Sequence, residues 1–199
     1  MLTLKSWTSI FHRAAPAFYL TVKVRAPRDY FDRADVFIED LLYTTEEELP
    51  GLNKTFLVKL LFDNFLSHVR QGKDMYDYML NLKSNYEDLL NANTYVKERN
   101  LSFPDRVPNF QWSLPGKGGV DGSKGYLTLN VGLRESEVKR VDVFFADWVC
   151  NYEDSLDMDI HKLLSLLFIE FITEMRHGFT GEMIAEIVAS ILAKSDERK

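Results

Sequence analysis

The chain has 199 residues, of which 46% are hydrophobic and 27% are charged, a balance typical of a globular protein with a sizeable core. With 24 Lys and Arg against 30 Asp and Glu, the formal net charge is −6 and no basic stripe offsets it, so tight, sequence-independent nucleic-acid binding is not expected as the main role. The single cysteine, Cys150, excludes an intramolecular disulfide and a thiolate zinc cage, and favours a reducing compartment.

Targeting and membrane signals are not expected in this sequence. Polar residues between positions 6 and 13 interrupt the first apolar stretch before it reaches the length of a signal-peptide core. The most apolar window, residues 160–175, contains charged side chains and falls short of the roughly 20 nearly uncharged residues that cross a bilayer. We therefore expect a cytoplasmic protein that does not dock on membranes, an expectation that the net negative charge also favours.

The regular structure begins with a predicted strand and helix. Residues 18–25 alternate apolar and polar side chains, the pattern of a half-buried antiparallel strand, and Pro27 ends it. From Asp29 to Leu42 the apolar residues recur every three or four positions, which predicts an amphipathic helix.

Two further helices are predicted next. Asn53 can cap a helix with one apolar stripe, and Gly72 lies where a helix usually ends. A second apolar stripe covers residues 74–90, and the short break before it favours an antiparallel helical pair. We expect one domain over residues 1–199. The pair, residues 52–92, either packs with the rest of the core or forms a helical subdomain.

The middle of the chain predicts strands. Prolines and glycines between residues 104 and 125 interrupt any helix. Apolar and polar side chains alternate in residues 110–114, in residues 127–133 and in residues 141–145, the last continuing toward Trp148. The simplest arrangement is a three-stranded antiparallel meander that can pair with the amino-terminal strand.

The last quarter of the chain is predicted to be helical. Asp159 caps a helix that runs to about Met175, and Thr180 opens a final helix before a charged tail. The order of strand, helices, meander and helices predicts an α+β fold, with an antiparallel sheet of about four strands packed with about five helices.

The glycine-rich segment, residues 115–125, does not have the pattern of a phosphate loop. Such a loop needs G-x-x-x-x-G-K-[ST] between a strand and a helix N-terminus, and here a predicted strand follows. A long hairpin connection that can contact a partner is the simpler interpretation.

One pattern leaves a catalytic alternative open. Metal-dependent nucleases of the restriction-endonuclease fold use an Asp, then a Glu and a Lys two positions apart on a strand, to hold a divalent ion and polarise a water. Asp105, Glu137 and Lys139 match this order, and Asp142 could add a carboxylate. A metal-dependent nuclease or hydrolase is therefore the alternative function.

The carboxy-terminal helix carries Glu170, Glu174 and His177 on one face. A Glu-x-x-His element is half of a di-iron carboxylate site, but the sequence has no second such element. We therefore interpret these residues as an exposed polar stripe, and predict no metal, no cofactor and no catalytic residue.

In its central part the chain resembles bacterial immunity proteins of polymorphic-toxin systems. The resemblance rests on the aromatic residues 110–114, the glycine-rich loop, residues 126–132, which end in glycine, and residues 141–145. It implies a small, cytoplasmic, non-catalytic protein that binds and blocks a cognate toxin, often a nuclease. The acidic composition fits such a role independently, because opposite charge accelerates association with a basic protein.

The leading prediction is thus an immunity or inhibitor protein whose partner is a basic toxin, with no direct contact to nucleic acid; a structural subunit without a single partner surface is a third interpretation. The sequence leaves the oligomeric state open. Contact residues are expected in or beside the glycine-rich loop and the acidic segment that follows the third predicted strand. They are Trp112, Lys117, Asp121, Asp147, Trp148, Glu153, Asp154 and Asp157.

Overall fold

A computed structural model describes residues 18–44, 51–91, 125–152, 156–176, 187–189 and 191. The elements in this part of the chain are β1 (Tyr19–Pro27), α1 (Arg28–Thr44), α2 (Lys54–Arg70), α3 (Tyr76–Asn91), β2 (Tyr126–Arg134), α4 (Glu135–Tyr152) and α5 (Ile160–Arg176). Residues 187–189 and 191 are also helical, inside the last predicted helix. The fold is α+β, as predicted.

The two strands pair antiparallel, with Val22 opposite Val131 and Val24 opposite Leu129. One face of this ribbon is apolar and buried, since Val22, Val24 and Val131 are inaccessible to solvent, whereas the alternate residues of β1, from Thr21 to Arg25, are exposed. The period-two pattern of the sequence therefore predicted both strands and their apolar face. Only part of that face is buried, since Phe18, Leu20 and Leu127 are 64%, 43% and 43% exposed.

Local signals set the ends of the helices. The side chain of Asn53 accepts a hydrogen bond from the N–H of Phe56 at 2.9 Å, which caps α2 as predicted. Beyond the end of this helix, Gly72 adopts the left-handed conformation with φ of +65°, and the N–H of Lys73 returns to the carbonyl of His68. A glycine is favoured at this turn because a β-carbon would strain it.

Helix α5 is the centre of the core. Every residue from 163 to 169 is buried, so the helix is surrounded by protein on nearly all sides. Phe168 stacks on Phe31 of α1, with ring centroids 5.0 Å apart. Both α2 and α3 contact α5, and their residues Phe62 and Met79 belong to the same buried cluster as the sheet. The two predicted helices therefore pack on the core that the sheet and α5 share.

α5 also covers the free edge of β1. The N–H of Arg25 donates to Ser165 Oγ at 2.9 Å, and the N–H of Lys23 donates to His161 Nδ1 at 2.9 Å. These amides point away from β2, because neighbouring residues of a strand direct their amides to opposite sides. Side chains of a helix thus satisfy strand donors that would otherwise be open to another chain.

The strand predicted at residues 141–145 is wrong, because this segment lies in α4. Val138, Val141 and Trp148 are buried, as the period of a helix requires, whereas Val143 is 59% exposed although a strand would put it on the same face as Val141. A short apolar run fits both periods, and only packing decides between them. The sheet in the described part of the chain has two strands. The strand predicted at residues 110–114 lies outside that part.

None of the helices that the structure describes has the length and apolar character that a bilayer crossing requires.

Candidate functional site

The structure describes three of the eight predicted contact residues, Asp147, Trp148 and Asp157. The other five lie outside the described residues: Trp112, Lys117, Asp121, Glu153 and Asp154.

Trp148 belongs to the core and presents no surface to a partner. It is only 3% exposed and stacks on Tyr76 of α3, with ring centroids 5.2 Å apart and planes at 15°. Tyr152 and Phe144 of its own helix complete the aromatic cluster, at centroid distances of 5.0 and 6.0 Å. Its position on the inner side of α4 follows from the helical period, whereas the predicted strand would have placed it by a period of two.

Asp147 lies on the opposite, solvent-facing side of α4, on what we call the α4 outer face. Val143 and Val149 are 59% and 52% exposed there, and the acidic side chains of Asp142 and Asp147 are exposed as well. At 100° per residue, the small and apolar side chains lie beside and between the two acids. The α4 outer face consists of Asp142, Val143, Ala146, Asp147, Val149 and Cys150.

Asp157 is brought next to this face by the loop before α5. It lines, together with Val149 and Asp159, a shallow pocket of about 450 Å³. Its backbone has a φ of 44°, a left-handed conformation that Asp tolerates better than most residues, and its side chain is 88% exposed with the carboxylate 3.9 Å from Lys162 Nζ. Asp147 and Asp157 are thus both exposed, and Asp157 lies beside the α4 outer face at Val149.

The nuclease alternative loses the local geometry on which it depended. Glu137 and Lys139 lie on a helix, where a spacing of two places them on different sides. Glu137 accepts a hydrogen bond from the N–H of Arg134 at 3.0 Å and so caps α4, while Lys139 pairs with Glu135 at 2.8 Å. Asp105 lies outside the described residues. Among the residues that are described, no group of three His, Cys, Asp or Glu side chains could hold a metal ion.

A second concave surface, which the sequence did not predict, lies between α2, α3 and α5. We call it the α2–α3–α5 groove; its volume is about 530 Å³. Apolar side chains of α2, of the turn before α3 and of α5 form its walls, among them Phe65, Met75, Leu167 and Phe171. Its polar side chains include Tyr78, Glu170 and Glu174, with His68, Lys73 and Asp74 also lining it.

The groove contains a short hydrogen bond between partly buried groups. Tyr78 Oη donates to Glu170 Oε2 at 2.6 Å. Burial is the main cause that raises the pKa of Glu170 above its ordinary value; the hydrogen bond from Tyr78 acts in the opposite direction, and the charge of Glu174 raises it further. Burial and the neighbouring Glu170 likewise raise the pKa of Tyr78 far above its usual range. The Tyr78 hydroxyl and the Glu170 carboxyl therefore lie in a partly desolvated environment, where water screens charge less than at the surface.

The sequence analysis identified two of the groove residues, Glu170 and Glu174, but not Tyr78, the partner of Glu170. Glu170 and Glu174 stood out on an otherwise apolar helix, but the exposed polar stripe inferred from them is wrong for Glu170, which is half-buried and faces the groove. Its partner Tyr78 lies 92 positions earlier in the chain, so no local pattern could connect the two. The signal available in the sequence was Glu170 itself, a charged residue among apolar neighbours, since such a residue is rarely buried without a partner.

Comparisons with known proteins return no match: no family model, no curated protein and no solved structure is significantly similar to this chain. Its function is therefore argued from the α4 outer face and the groove themselves.

Proposed function

We propose that this protein is a non-catalytic binding protein, an immunity or inhibitor protein that occludes a basic cognate toxin. The observation that carries the proposal is the α4 outer face, where Val143 and Val149 are exposed beside Asp142 and Asp147. The shallow pocket shared by Val149 and Asp157 extends this surface toward the next loop.

The chemistry of this face supports a basic protein partner. Protein interfaces combine apolar contact in the centre with polar groups at the rim, and an exposed face of a helix is a common element to dock into a partner's groove. Carboxylates beside the apolar contact attract a basic partner and raise its association rate. The excess of 30 acidic over 24 basic residues extends the same attraction to the whole chain.

The partner can be identified through the surface itself. A photo-crosslinking amino acid at position 143 on the α4 outer face is compared with the same amino acid at Leu80, an exposed apolar position on α3. We expect a crosslinked protein from position 143 alone, and we expect it to be basic and toxic when it is produced without this chain. The protein encoded next to this chain's gene is the first candidate.

A functional arm then separates inhibition from mere contact. Co-production of this chain is expected to protect cells from the captured protein. The double variant Asp142→Asn with Asp147→Asn is expected to bind it several-fold more slowly at low salt. The matched double variant Asp32→Asn with Glu39→Gln, at two exposed acids of α1, is expected to lower the rate much less. An acidic or harmless captured protein, or a rate that is insensitive to salt and to the double variant, contradicts the proposal.

A further inference from the structure

The α2–α3–α5 groove has the dimensions of a small-molecule site and is separate from the α4 outer face. Its volume of about 530 Å³ lies within the range of small-molecule sites, which is about 300–1,000 Å³. The mixture of apolar walls with a few converging polar groups is also typical of such sites.

Two carboxylates face this groove from successive turns of α5. Glu170 and Glu174 are four residues apart, a spacing at which like charges repel each other across a helix face. Among the described residues, the hydrogen bond from Tyr78 occupies Glu170 Oε2, and no ion pair neutralises either carboxylate. The described residues therefore form a negatively charged, half-apolar concavity.

Among the other polar groups that line the groove, Lys73 supplies one positive charge, against the three carboxylates of Asp74, Glu170 and Glu174. Asp74 adds a further carboxylate, but its Oδ1 already accepts from the N–H of Tyr76 at 2.9 Å and from Tyr152 Oη at 3.3 Å. Lys73 lies on the exposed turn before α3, and His68 lies in the last turn of α2. The charge of the lining is thus complementary to a cation near Glu170 and Glu174.

We propose that the α2–α3–α5 groove binds a small organic cation, a primary ammonium or guanidinium group carried on an apolar stem. The charged group lies between Glu170 and Glu174 and relieves their repulsion. The stem contacts the apolar wall formed by Phe65, Leu167 and Phe171. Poor screening by water at Glu170 strengthens the attraction, because a charge pair in a partly desolvated site interacts more strongly than one in bulk water.

The test uses three probes of one shape with different charge: 4-phenylbutylamine, 4-phenylbutanol and 4-phenylbutanoate, titrated into the full chain by calorimetry. We expect saturable binding of the amine, at least about tenfold weaker binding of the alcohol and none of the carboxylate. A guanidine of the same stem is expected to behave as the amine does. Equal binding of amine and alcohol, or no saturable binding of the amine, overturns the proposal.

Variants locate the site. Glu174→Gln and Glu170→Gln are each expected to weaken the amine about tenfold, and the same substitution at Glu39, on the exposed side of α1, is expected to have no effect. Glu174 is the more exposed of the two and makes no hydrogen bond with Tyr78, so its variant tests the charge alone. Unchanged affinity in Glu174→Gln contradicts the site.

A last arm separates a free ligand from the side chain of another protein. A capped tripeptide with a central arginine is titrated beside the small amine and the small guanidine. Binding of the small cations supports the proposal. Binding of the peptide while both small cations fail to bind overturns it, because the groove would then read a protein side chain.

Discussion

Replacing Ser165 with alanine is expected to destabilise the fold more than replacing His161, although each side chain accepts one hydrogen bond from the edge of β1. Ser165 is 3% exposed and accepts the N–H of Arg25 at 2.9 Å. Without its Oγ, that amide loses its partner where water cannot easily replace it, which costs about 1–3 kcal/mol. His161 is exposed, so water can take the place of its Nδ1 on the N–H of Lys23, and its loss costs at most about 1 kcal/mol.

The measurement is urea unfolding of wild type and both alanine variants, followed by tryptophan fluorescence, to which the buried Trp148 contributes. Hydrogen exchange of the Arg25 amide gives a local readout, since its protection should fall in Ser165→Ala and remain in His161→Ala. For a chain of this length, about 2 kcal/mol lowers the melting temperature by roughly 4–8 °C. Equal losses in both variants, or a larger loss in His161→Ala, would refute the reasoning that burial of the strand edge sets the cost.

Three further outcomes follow from the structure. Val141→Ala should lower the free energy of unfolding in urea by about 1.5–2.5 kcal/mol and Val143→Ala by less than about 0.5 kcal/mol, because only Val141 is buried on α4. Equal losses in the two variants would favour the strand that the sequence predicted. Asn53→Ala should cost about 1 kcal/mol through loss of the α2 cap, measured in the same way, while Asn53→Asp should retain most of it. Burial in the folded state raises the pKa of Glu170, so this residue stabilises the fold fully below its ordinary pKa and loses that contribution as the pH rises through the folded pKa. Glu170→Gln should therefore be more stable than wild type at about pH 7 but not at about pH 4. A stability difference that does not change with pH would contradict this.

Local sequence patterns were sufficient where the signal lies within a few residues. The alternation of β1, the cap at Asn53 and the turn at Gly72 each involve neighbours in the chain, and the structure confirms all three. The cap at Asp159 is of the same kind, since its Oδ1 accepts the N–H of Lys162 at 2.7 Å. These features depend on backbone geometry and on hydrogen bonds between residues a few positions apart.

Prediction from local patterns failed where one apolar pattern is compatible with both a strand and a helix. In residues 141–145 the alternation of apolar and polar side chains suited a strand, but Val138, Val141 and Trp148 also suit a helix. Packing of Trp148 against Tyr76 of α3 favours the helix, because it buries a large aromatic surface. A strand would not place Val138, Val141 and Trp148 on one face. The error carried over to function, since Trp148 was expected on the surface.

The candidate sites divide in the same way. Composition alone indicated an acidic surface, and Asp147 and Asp157 are exposed, as a contact surface requires. The groove could not be predicted, because its polar pair joins Tyr78 to Glu170 across 92 positions.

By itself, then, the sequence determined the net charge, both described strands, four of the helices α1 to α5 and the caps at Asn53 and Asp159, since each is decided by composition or by residues a few positions apart. Only the tertiary structure decided which side of α4 faces solvent, that α5 covers the edge of β1, and that α2, α3 and α5 enclose a groove. The physical reason is the range of the interactions. Ser165 meets Arg25 across 140 positions of the chain, and such contacts exist only after the helices have packed around a common core.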